Sequence, residues 1–362
     1  MKIGIPKEIK NNEHRVGLTP ESVKKLTKQN NEVFVERDAG AEIGFDNDNY
    51  RSAGALVLET ASKVYSQSEL IVKVKEPMPE EFEYLSNQHT LFTYFHLAGN
   101  KEQAKELVKT GITAIAYETV TAEDGSLPLL APMSAIAGQI GFVVGSYFLL
   151  KPNKGIGVLL DSIGDIEPRV VTVIGAGVAG TEAIKKAVVS GAYVKIIDLS
   201  EEKLKQLQQR FGEDKIEYII STPETITEAL ACSDLVIGSV YVVGKEAPKV
   251  ITKEMISKMK PGSVVVDIAI DQGGCIETSR PTTHDDPVFM HDNVIHYCVS
   301  NMPGAVPLTA TLALNKATMP FIEMLTKEGI NKALEHEKHL ANGLNIRGGE
   351  VTHPAIKEAL GL

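Results

Sequence analysis

Cysteine is scarce in this chain of 362 residues: only Cys232, Cys275 and Cys298 occur. None sits in a CxxC pair or beside histidine at ligand spacing, so neither a disulfide scaffold nor a zinc site is expected, and the thiols suit a reducing, cytoplasmic compartment. Positive charge is also in deficit, with 37 Lys and Arg against 47 Asp and Glu and a formal net charge of −10. Affinity for nucleic acid comes from lysine and arginine neutralising phosphates, so a general polyanion binder is excluded. The N-terminal stretch MKIGIPKEIKNNEHR mixes charges and lacks the apolar core of an export signal. Low-complexity tracts and repeats of solenoid length are missing too. One uncharged run, between Asp124 and Lys151, has the length to cross a bilayer. Pro128, Pro132, Ser134, Gln139 and Ser146 punctuate it, and it stands alone, so a buried interdomain helix is expected there, with Gly138, Gly141 and Gly145 admitting a close neighbouring helix.

What is present is ordinary globular composition, 43% hydrophobic and 23% charged. The length exceeds what one core usually supports, so two domains are expected. Short apolar runs alternate with amphipathic ones: KIGI, a helix opened by Thr19-Pro20-Glu21, EVFVE, LIVKVKE (70–76), TLFTYFH (90–96) and TAIAYETV (113–120). This alternation predicts parallel strands with covering helices. After an apolar helix near 132–150 and the link KPNKGIGVLLDSIGDIEP, a second series follows: RVVTVIG, YVKIID, IEYII, DLVIGSV, SVVVDIAI and VIHYCVS. From Pro307 the pattern turns wholly helical, with no further strand expected. The fold class is therefore α/β, with two Rossmann-like, doubly wound parallel-sheet domains joined by long helices. The expected boundaries are 1–130 plus 307–362 for one discontinuous domain and 131–306 for the other.

A lone GxGxxG is weak evidence, but Gly175-Ala-Gly177-Val-Ala-Gly180 follows the strand VVTVI, opens a helical stretch and precedes a second strand that ends at Asp198. In a dinucleotide site Gly175 permits the tight turn, Gly177 lets backbone approach the pyrophosphate, and Gly180 allows close packing of the helix whose N-terminus holds the phosphates. Asp198 lies 18 residues beyond Gly180. Its carboxylate suits the adenosine ribose hydroxyls and repels a 2′-phosphate, so NAD is expected over NADP. The competing reading is a structural turn, with Asp198 capping the next helix.

Charges also occur where a sheet makes them awkward. Lys73 and Lys75 share one face of LIVKVKE, His96 ends TLFTYFH, and Asp267 and Asp271 end SVVVDIAIDQGG. Ligands collect at the carboxyl ends of parallel strands. From composition alone, Lys75 fits a solvated strand end equally well, His96 a hydrogen-bonded core histidine, and the aspartates ordinary turn formers.

The stretches GIPKEIKNNEHRVGLTP, LIVKVKEP, FHLA, AYETV, LLAPMS, VIGAGVAG, DLVIGSV, VVDIAIDQGG, SRPTTHDDPVF and CVSNMPGAVPLTAT resemble the alanine dehydrogenases, a family related to the NAD-binding subunit of proton-pumping transhydrogenase. The resemblance covers nearly the whole chain; the loops DSIGDIEP and YVVGKEAPK differ from it in detail. It implies a reversible, NAD-dependent oxidative deamination of L-alanine to pyruvate and ammonium, without a metal, in a cytoplasmic homohexamer. It further implies that Arg15 holds the substrate carboxylate, that Lys75 contacts carboxylate and keto oxygen, and that Asn301 lies close to substrate. His96 is implied as the catalytic acid/base and Asp271 as the second catalytic residue. Ser134, Val178, Ala179, Lys203, Ser221, Val240, Ile268, Ile270, Arg280, Val299 and Met302 would join the glycines and Asp198 around the cofactor. The competing functions are a saccharopine-type dehydrogenase acting on a longer amino acid, a nicotinamide-binding subunit that passes hydride to a partner protein, and a silent NAD-binding protein.

Overall fold

In the computed structural model of the chain, residues 1–99, 101–242 and 246–361 are described. They divide into two compact units, Met1–Met133 with Val306–Leu362, and Ser134–Ala305. Residues 243–245 of the loop YVVGKEAPK lie outside the described residues.

The first unit carries strands β1 (Lys2–Ile5), β2 (Glu32–Glu36), β3 (Leu56–Leu58), β4 (Leu70–Val72), β5 (Thr90–Thr93) and β6 (Thr113–Ala116). Between them run helices α1 (Pro20–Lys28), α2 (Asn47–Ser52), α3 (Ala61–Gln67) and α4 (Lys101–Thr110). Helix α1 starts where the sequence says it should: the Thr19 side chain accepts from the Ser22 amide, and Pro20 occupies the first turn, where its missing N–H costs nothing. The strands bury both faces, as near-continuous apolar runs must, with Ile3, Ile5, Leu70, Ile71, Val72, Leu91 and Phe92 all fully buried.

In the second unit helix α5 (Ala131–Phe148), whose first residues belong to the first unit, leads into β7 (Val170–Ile174), α6 (Val178–Val189), β8 (Tyr193–Asp198), α7 (Glu201–Phe211) and β9 (Ile216–Ile220). There follow α8 (Pro223–Cys232), β10 (Leu235–Gly238), α9 (Lys253–Ile256), β11 (Val264–Asp267), β12 (Val288–His291) and β13 (Val294–Tyr297). Its sheet order is β12-β13-β11-β10-β7-β8-β9, parallel except for the β12 hairpin edge. The order reverses between β7 and β10, so the crevice of a doubly wound sheet opens at their carboxyl ends, at Gly175 and Ser239.

The chain returns to the first unit through α10 (Pro307–Glu328), α11 (Ile330–His336) and α12 (Lys338–Ala341), then β14 (Leu344–Arg347), β15 (Glu350–Val351) and α13 (Pro354–Leu360). The expectation of a strand-free C-terminus is thereby corrected. β14 pairs antiparallel with β6 and with β15, and Gly348 and Gly349, both at positive φ, make the turn. Four and two residues respectively are too short for the hydrophobic alternation to register. The first sheet thus reads β15-β14-β6-β5-β4-β1-β2-β3, with its own reversal between β1 and β4.

Helix α5 also differs from expectation. A Cβ on Gly138 would come within 2.0 Å of the Ala179 carbonyl, so this glycine does admit the start of α6. Gly141 and Gly145 instead face side chains, those of Ile268 and Leu235. The helix is not buried all round, since Val143 and Tyr147 are 58% and 56% exposed. Among the described residues no helix is long and apolar enough to cross a membrane.

Candidate functional site

In the second unit the chain leaves β7 through Gly175 at φ +99°, a conformation that side chains with a Cβ resist, and a Cβ there would also approach the Ser239 carbonyl to 2.8 Å. At Gly180 a Cβ would stand 1.8 Å from the Gly175 carbonyl oxygen, so only glycine lets α6 close onto the turn. Gly177 is different: a Cβ there would meet no protein atom within 4 Å. Its bareness serves nothing in the protein itself and leaves open space above the backbone. Ser239 braces the turn from β10 by donating to the carbonyls of Ile174 (3.1 Å) and Gly175 (2.9 Å).

The first turn of α6 follows directly on Gly177. Side chains of Ser200, Thr222 and Thr252 cap α7, α8 and α9, but Gly177 provides no side-chain cap for α6. An uncapped helix start with a glycine approach fits a phosphate, which is the fit a dinucleotide requires. Asp198 ends β8 beside it. One carboxylate oxygen accepts from the Ala176 amide at 2.6 Å and the other from the Ser200 amide at 2.8 Å, so each keeps a lone pair for a further donor. Asp198 does not cap the next helix, which Ser200 does; its carboxylate ties the glycine turn to the end of β8.

The remaining cofactor candidates fall unevenly. Val178 and Ala179 form the first α6 turn, and Val178 is 48% exposed. Ser134 sits in the opening turns of α5. Lys203 lies exposed in the first turn of α7. Ser221, just after β9, donates its amide to the Asp198 carbonyl at 3.0 Å. Val240 is half-buried against the core under β10. Ile270, Val299 and Met302 are buried, Ile268 half-buried. Arg280 is exposed, its guanidinium 4.3 Å above the Phe289 ring.

The paired aspartates separate. β11 stops at Asp267, which is fully buried and accepts from the amides of Ala269, Cys275 and Ile276, while Gly273 and Gly274 at positive φ wrap the chain around it. Asp267 is thus a structural anchor. Asp271 is not at a strand end but on the 3-10 turn Ile268–Gln272, exposed, where both its oxygens accept from the Asn301 amide at 3.3 Å. Asn301 adopts φ +62°, and its carbonyl lies 3.2 Å from His284 Nε2.

The carboxyl end of the first sheet is crowded with charge. β4 stops at Val72, earlier than the run LIVKVKE suggests, because Lys73 turns into the core. Its ammonium, wholly buried, contacts Glu81 at 2.9 Å and Glu8 at 3.2 Å. Burial favours the neutral amine, but the two carboxylates outweigh it and hold the Lys73 pKa above its ordinary value. Glu8 is pushed upward, chiefly by burial against the pull of Lys73. Tyr65 donates to Glu81 at 2.8 Å. Glu8 in turn accepts from the amides of Val74 (2.6 Å) and Lys75 (3.3 Å). Lys75 does not share the surroundings of Lys73: it is 6% exposed, its carbonyl accepts from Thr93, and its charge helps depress the neighbouring Glu76. For Glu76, burial raises the pKa but Lys75, Lys10 and His96 together bring it below the usual range. Glu76 Oε2 is buried with no hydrogen-bond partner among the described residues.

Arg15 is 2% exposed and forms a bidentate pair with buried Glu13, Nε to Oε1 at 2.6 Å and Nη2 to Oε2 at 2.5 Å; Nη1 lies 3.2 Å from Met133 Sδ. The fork is thus held in one orientation by Glu13. His96 lies beyond the end of β5, at φ +50°, its ring stacked on Tyr94 at 5.8 Å and 8°. Its amide donates to Glu118 at 2.6 Å.

The first unit therefore brings Lys75 and His96 together around Glu76, and the second brings Asp271 to Asn301 and Asp198 to the glycine turn. Sequence reasoning missed Glu8, Glu13, Glu76, Tyr94, Glu118 and Ser239, all of which hold or surround these residues. All six lie inside stretches already singled out in the sequence, GIPKEIKNNEHRVGLTP, LIVKVKEP, TLFTYFH, AYETV and DLVIGSV, and that membership is the available signal. Among the described residues no group of three His, Cys, Asp or Glu could hold a metal ion, and all three cysteines are free thiols.

Residues 4–137 match the family described as "Alanine dehydrogenase/PNT, N-terminal domain", and residues 141–354 its C-terminal domain. An alanine dehydrogenase of Halomonas elongata is 48% identical over 362 residues, covering 100% of this chain and 97% of its own. A solved L-alanine dehydrogenase superimposes with a TM-score of 0.95 at 46% identity, over 100% of this chain and 99% of its own. A transhydrogenase from Sinorhizobium meliloti superimposes at 0.82 with 28% identity, over 98% and 100%.

Proposed function

Because the chain belongs to the alanine dehydrogenase/PNT family, we propose that it is an oxidoreductase interconverting L-alanine with pyruvate and ammonium, and that its cofactor is NAD. The observation that carries this reading is the joint presence, in a chain 48% identical to an alanine dehydrogenase over its full length, of a phosphate-ready glycine turn in one sheet and an Arg15, Lys75 and His96 set in the other. When bound, the cofactor supplies acceptance or return of the Cα hydride.

The chain's own residues do the rest. Arg15, its fork pre-oriented by Glu13, holds the substrate carboxylate, and Lys75 adds positive charge at the carboxylate and at the oxygen that develops at Cα. Water adds to the imine carbon with loss of a proton; as the carbon–nitrogen bond of the carbinolamine then breaks, its hydroxyl gives up a second proton and pyruvate and ammonia form. His96 takes the proton from that water and returns one to the leaving nitrogen, work for which an imidazole is suited near neutral pH. Asp271, tied to the Asn301 amide, is the second catalytic residue in this reading. Asp198 accepts the ribose hydroxyls with its remaining lone pairs, and its negative charge discriminates against a 2′-phosphate. Ser134, Lys203, Ser221, Val240, Ile268, Ile270, Arg280, Val299 and Met302 line the cofactor in this reading. The protein is taken to be a cytoplasmic homohexamer, which sedimentation and fractionation test.

The decisive assay is NADH formation with a panel of L-amino acids, run in parallel with NADP. Alanine should be preferred, kcat/KM should favour NAD, and His96→Ala should lose roughly 10²- to 10⁴-fold in kcat while still binding NADH. Turnover only with longer amino acids would indicate a saccharopine-type enzyme. NADH binding with no deamination at all would favour the second reading, a hydride-passing subunit, which the likeness to a transhydrogenase supports.

A further inference from the structure

We infer that Glu118 is a positioning residue, whose carboxylate locks the backbone of Phe95 and His96 so that the imidazole is presented for proton transfer. The inference rests on the acid/base role proposed for His96.

The parallel ladder between β5 and β6 ends at the pair Thr93 and Ala116. Beyond it the β6 chain turns away into the 3-10 turn Tyr117–Thr119, so the amides of residues 95 and 96 have no strand carbonyl to meet. The Glu118 side chain reaches back to them instead. Oε1 accepts from Phe95 N at 3.1 Å and from His96 N at 2.6 Å, and Oε2 lies 3.3 Å from Phe95 N. Two successive N–H groups converging on one carboxylate make a charge-assisted clamp, stronger than the neutral ladder bonds it replaces.

The clamp matters because His96 is held at φ +50°, a left-handed conformation that a residue with a Cβ adopts only under constraint. Without the carboxylate the residue relaxes to ordinary φ, and the ring swings off Tyr94. Tyr94 is an immobile platform, 3% exposed and donating to the Leu129 carbonyl at 2.5 Å. The ring's position is thus set from two sides, by stacking on Tyr94 and by the backbone clamp of Glu118. A general base misplaced by about 1 Å loses on the order of 10²-fold in rate while ground-state binding survives.

The test is a double-mutant cycle on the full chain, reading kcat for alanine oxidation and the NADH dissociation constant. Glu118→Ala should lower kcat by about 10- to 100-fold with NADH affinity unchanged, and Glu118→Gln, which keeps an acceptor oxygen, should stay within about fivefold of the parent. In a His96→Ala background the Glu118→Ala change should cost nothing further, an outcome that a generally destabilising substitution does not produce. If the alanine variant does not fold, Glu118→Asp, too short to span both amides, takes its place in the cycle with the same expected loss. Undiminished kcat in Glu118→Ala or its Asp replacement, or losses that add in the double variant, overturn the inference alone. Undiminished kcat in His96→Ala overturns the role of His96 and this inference together.

Discussion

Two alanine substitutions, three residues apart, separate what the glycine turn does for the fold from what it does for the ligand. At Gly180 a new methyl would stand 1.8 Å from the Gly175 carbonyl and 2.7 Å from Ser239 Oγ. Gly175 cannot give way, because it is itself at φ +99° and pressed against Ser239. Overpacking typically costs 1–3 kcal/mol, and a backbone obstacle puts this case at about 3 kcal/mol or more. At about 2–4 °C per kcal/mol for a unit of this size, Gly180→Ala should melt roughly 6–12 °C lower. At Gly177 the backbone sits at φ −75° and ψ −168°, which alanine accepts, and no protein atom lies within reach of the methyl. The unfolded chain loses freedom, so stability should hold or rise by about 0.4–1 kcal/mol. The methyl would occupy the space assigned to the pyrophosphate, and loss of one charge-assisted backbone contact, about 1.5–3 kcal/mol, weakens NADH by roughly 10- to 100-fold. Thermal melts of the apoprotein and NADH titrations followed by fluorescence give both quantities. Parent-like NADH affinity in Gly177→Ala would refute the phosphate placement, and a parent-like melting temperature in Gly180→Ala would refute the packing argument.

Two further outcomes follow from buried titratable groups. Lys73→Met leaves Glu8 and Glu81 in the core without their cation and should destabilise the protein by about 3–5 kcal/mol in denaturant titration; a loss under about 1 kcal/mol would mean that the ion cluster is dispensable. His296 is depressed from 6.5 to about 4, first by burial and also by His291, against the opposing pull of the Val294 carbonyl. A buried imidazole of lowered pKa is neutral in the folded protein while the unfolded chain takes up a proton. Its contribution is therefore complete above pH 6.5 and declines as pH falls toward 4, by up to about 3 kcal/mol. His296→Asn should flatten the stability profile in that window, and an unchanged slope would assign the acid sensitivity elsewhere.

How far the sequence could be read depended on whether the determining contacts are local. The glycines of the turn from β7 into α6 fall within six consecutive residues, and the close approach at Gly180 is to Gly175 in the same turn, although the Ser239 brace comes from β10, 64 residues on. The helix start at Thr19-Pro20 is local in the same way. Strand ends are not. LIVKVKE alternates as a strand would, but β4 stops at Val72 because Lys73 finds Glu8 and Glu81, the former 65 residues away. SVVVDIAI stops at Asp267 because the amides of residues 269, 275 and 276 gather on its carboxylate. β14 and β15 gained their stability by adding to the edge of β6, a partner more than two hundred residues earlier, which no periodicity within LNIR or EV could announce. The same holds for Glu118, which reads as part of a strand until its carboxylate is seen on the amides of another.

The two sheets solve one topological problem with different chemistry, and the contrast argues for the division of labour proposed here. Each reverses its order beside its first strand, between β1 and β4 in one and between β7 and β10 in the other. In the second unit that crevice is lined by glycine backbone and Ser239, with an uncapped helix start and, among the described residues, no buried cation. A pyrophosphate spreads its charge over several oxygens and is met well by an array of fixed N–H dipoles. In the first unit the equivalent position holds Glu8 at the exit from β1 and Lys73, Lys75 and Glu76 at the exit from β4, with the Arg15–Glu13 pair beside them. A three-carbon acid offers one carboxylate and one reacting carbon, too little surface for dipoles alone, so recognition needs full charges in fixed places. Buried charges are costly unless each is paired. Glu8 and Glu13 meet that requirement: one balances Lys73 and receives the Lys75 amide, the other orients the arginine. The carboxylates of Glu8, Glu81 and Glu13 are therefore the physical condition under which Lys73 and Arg15 stay ionised in the core.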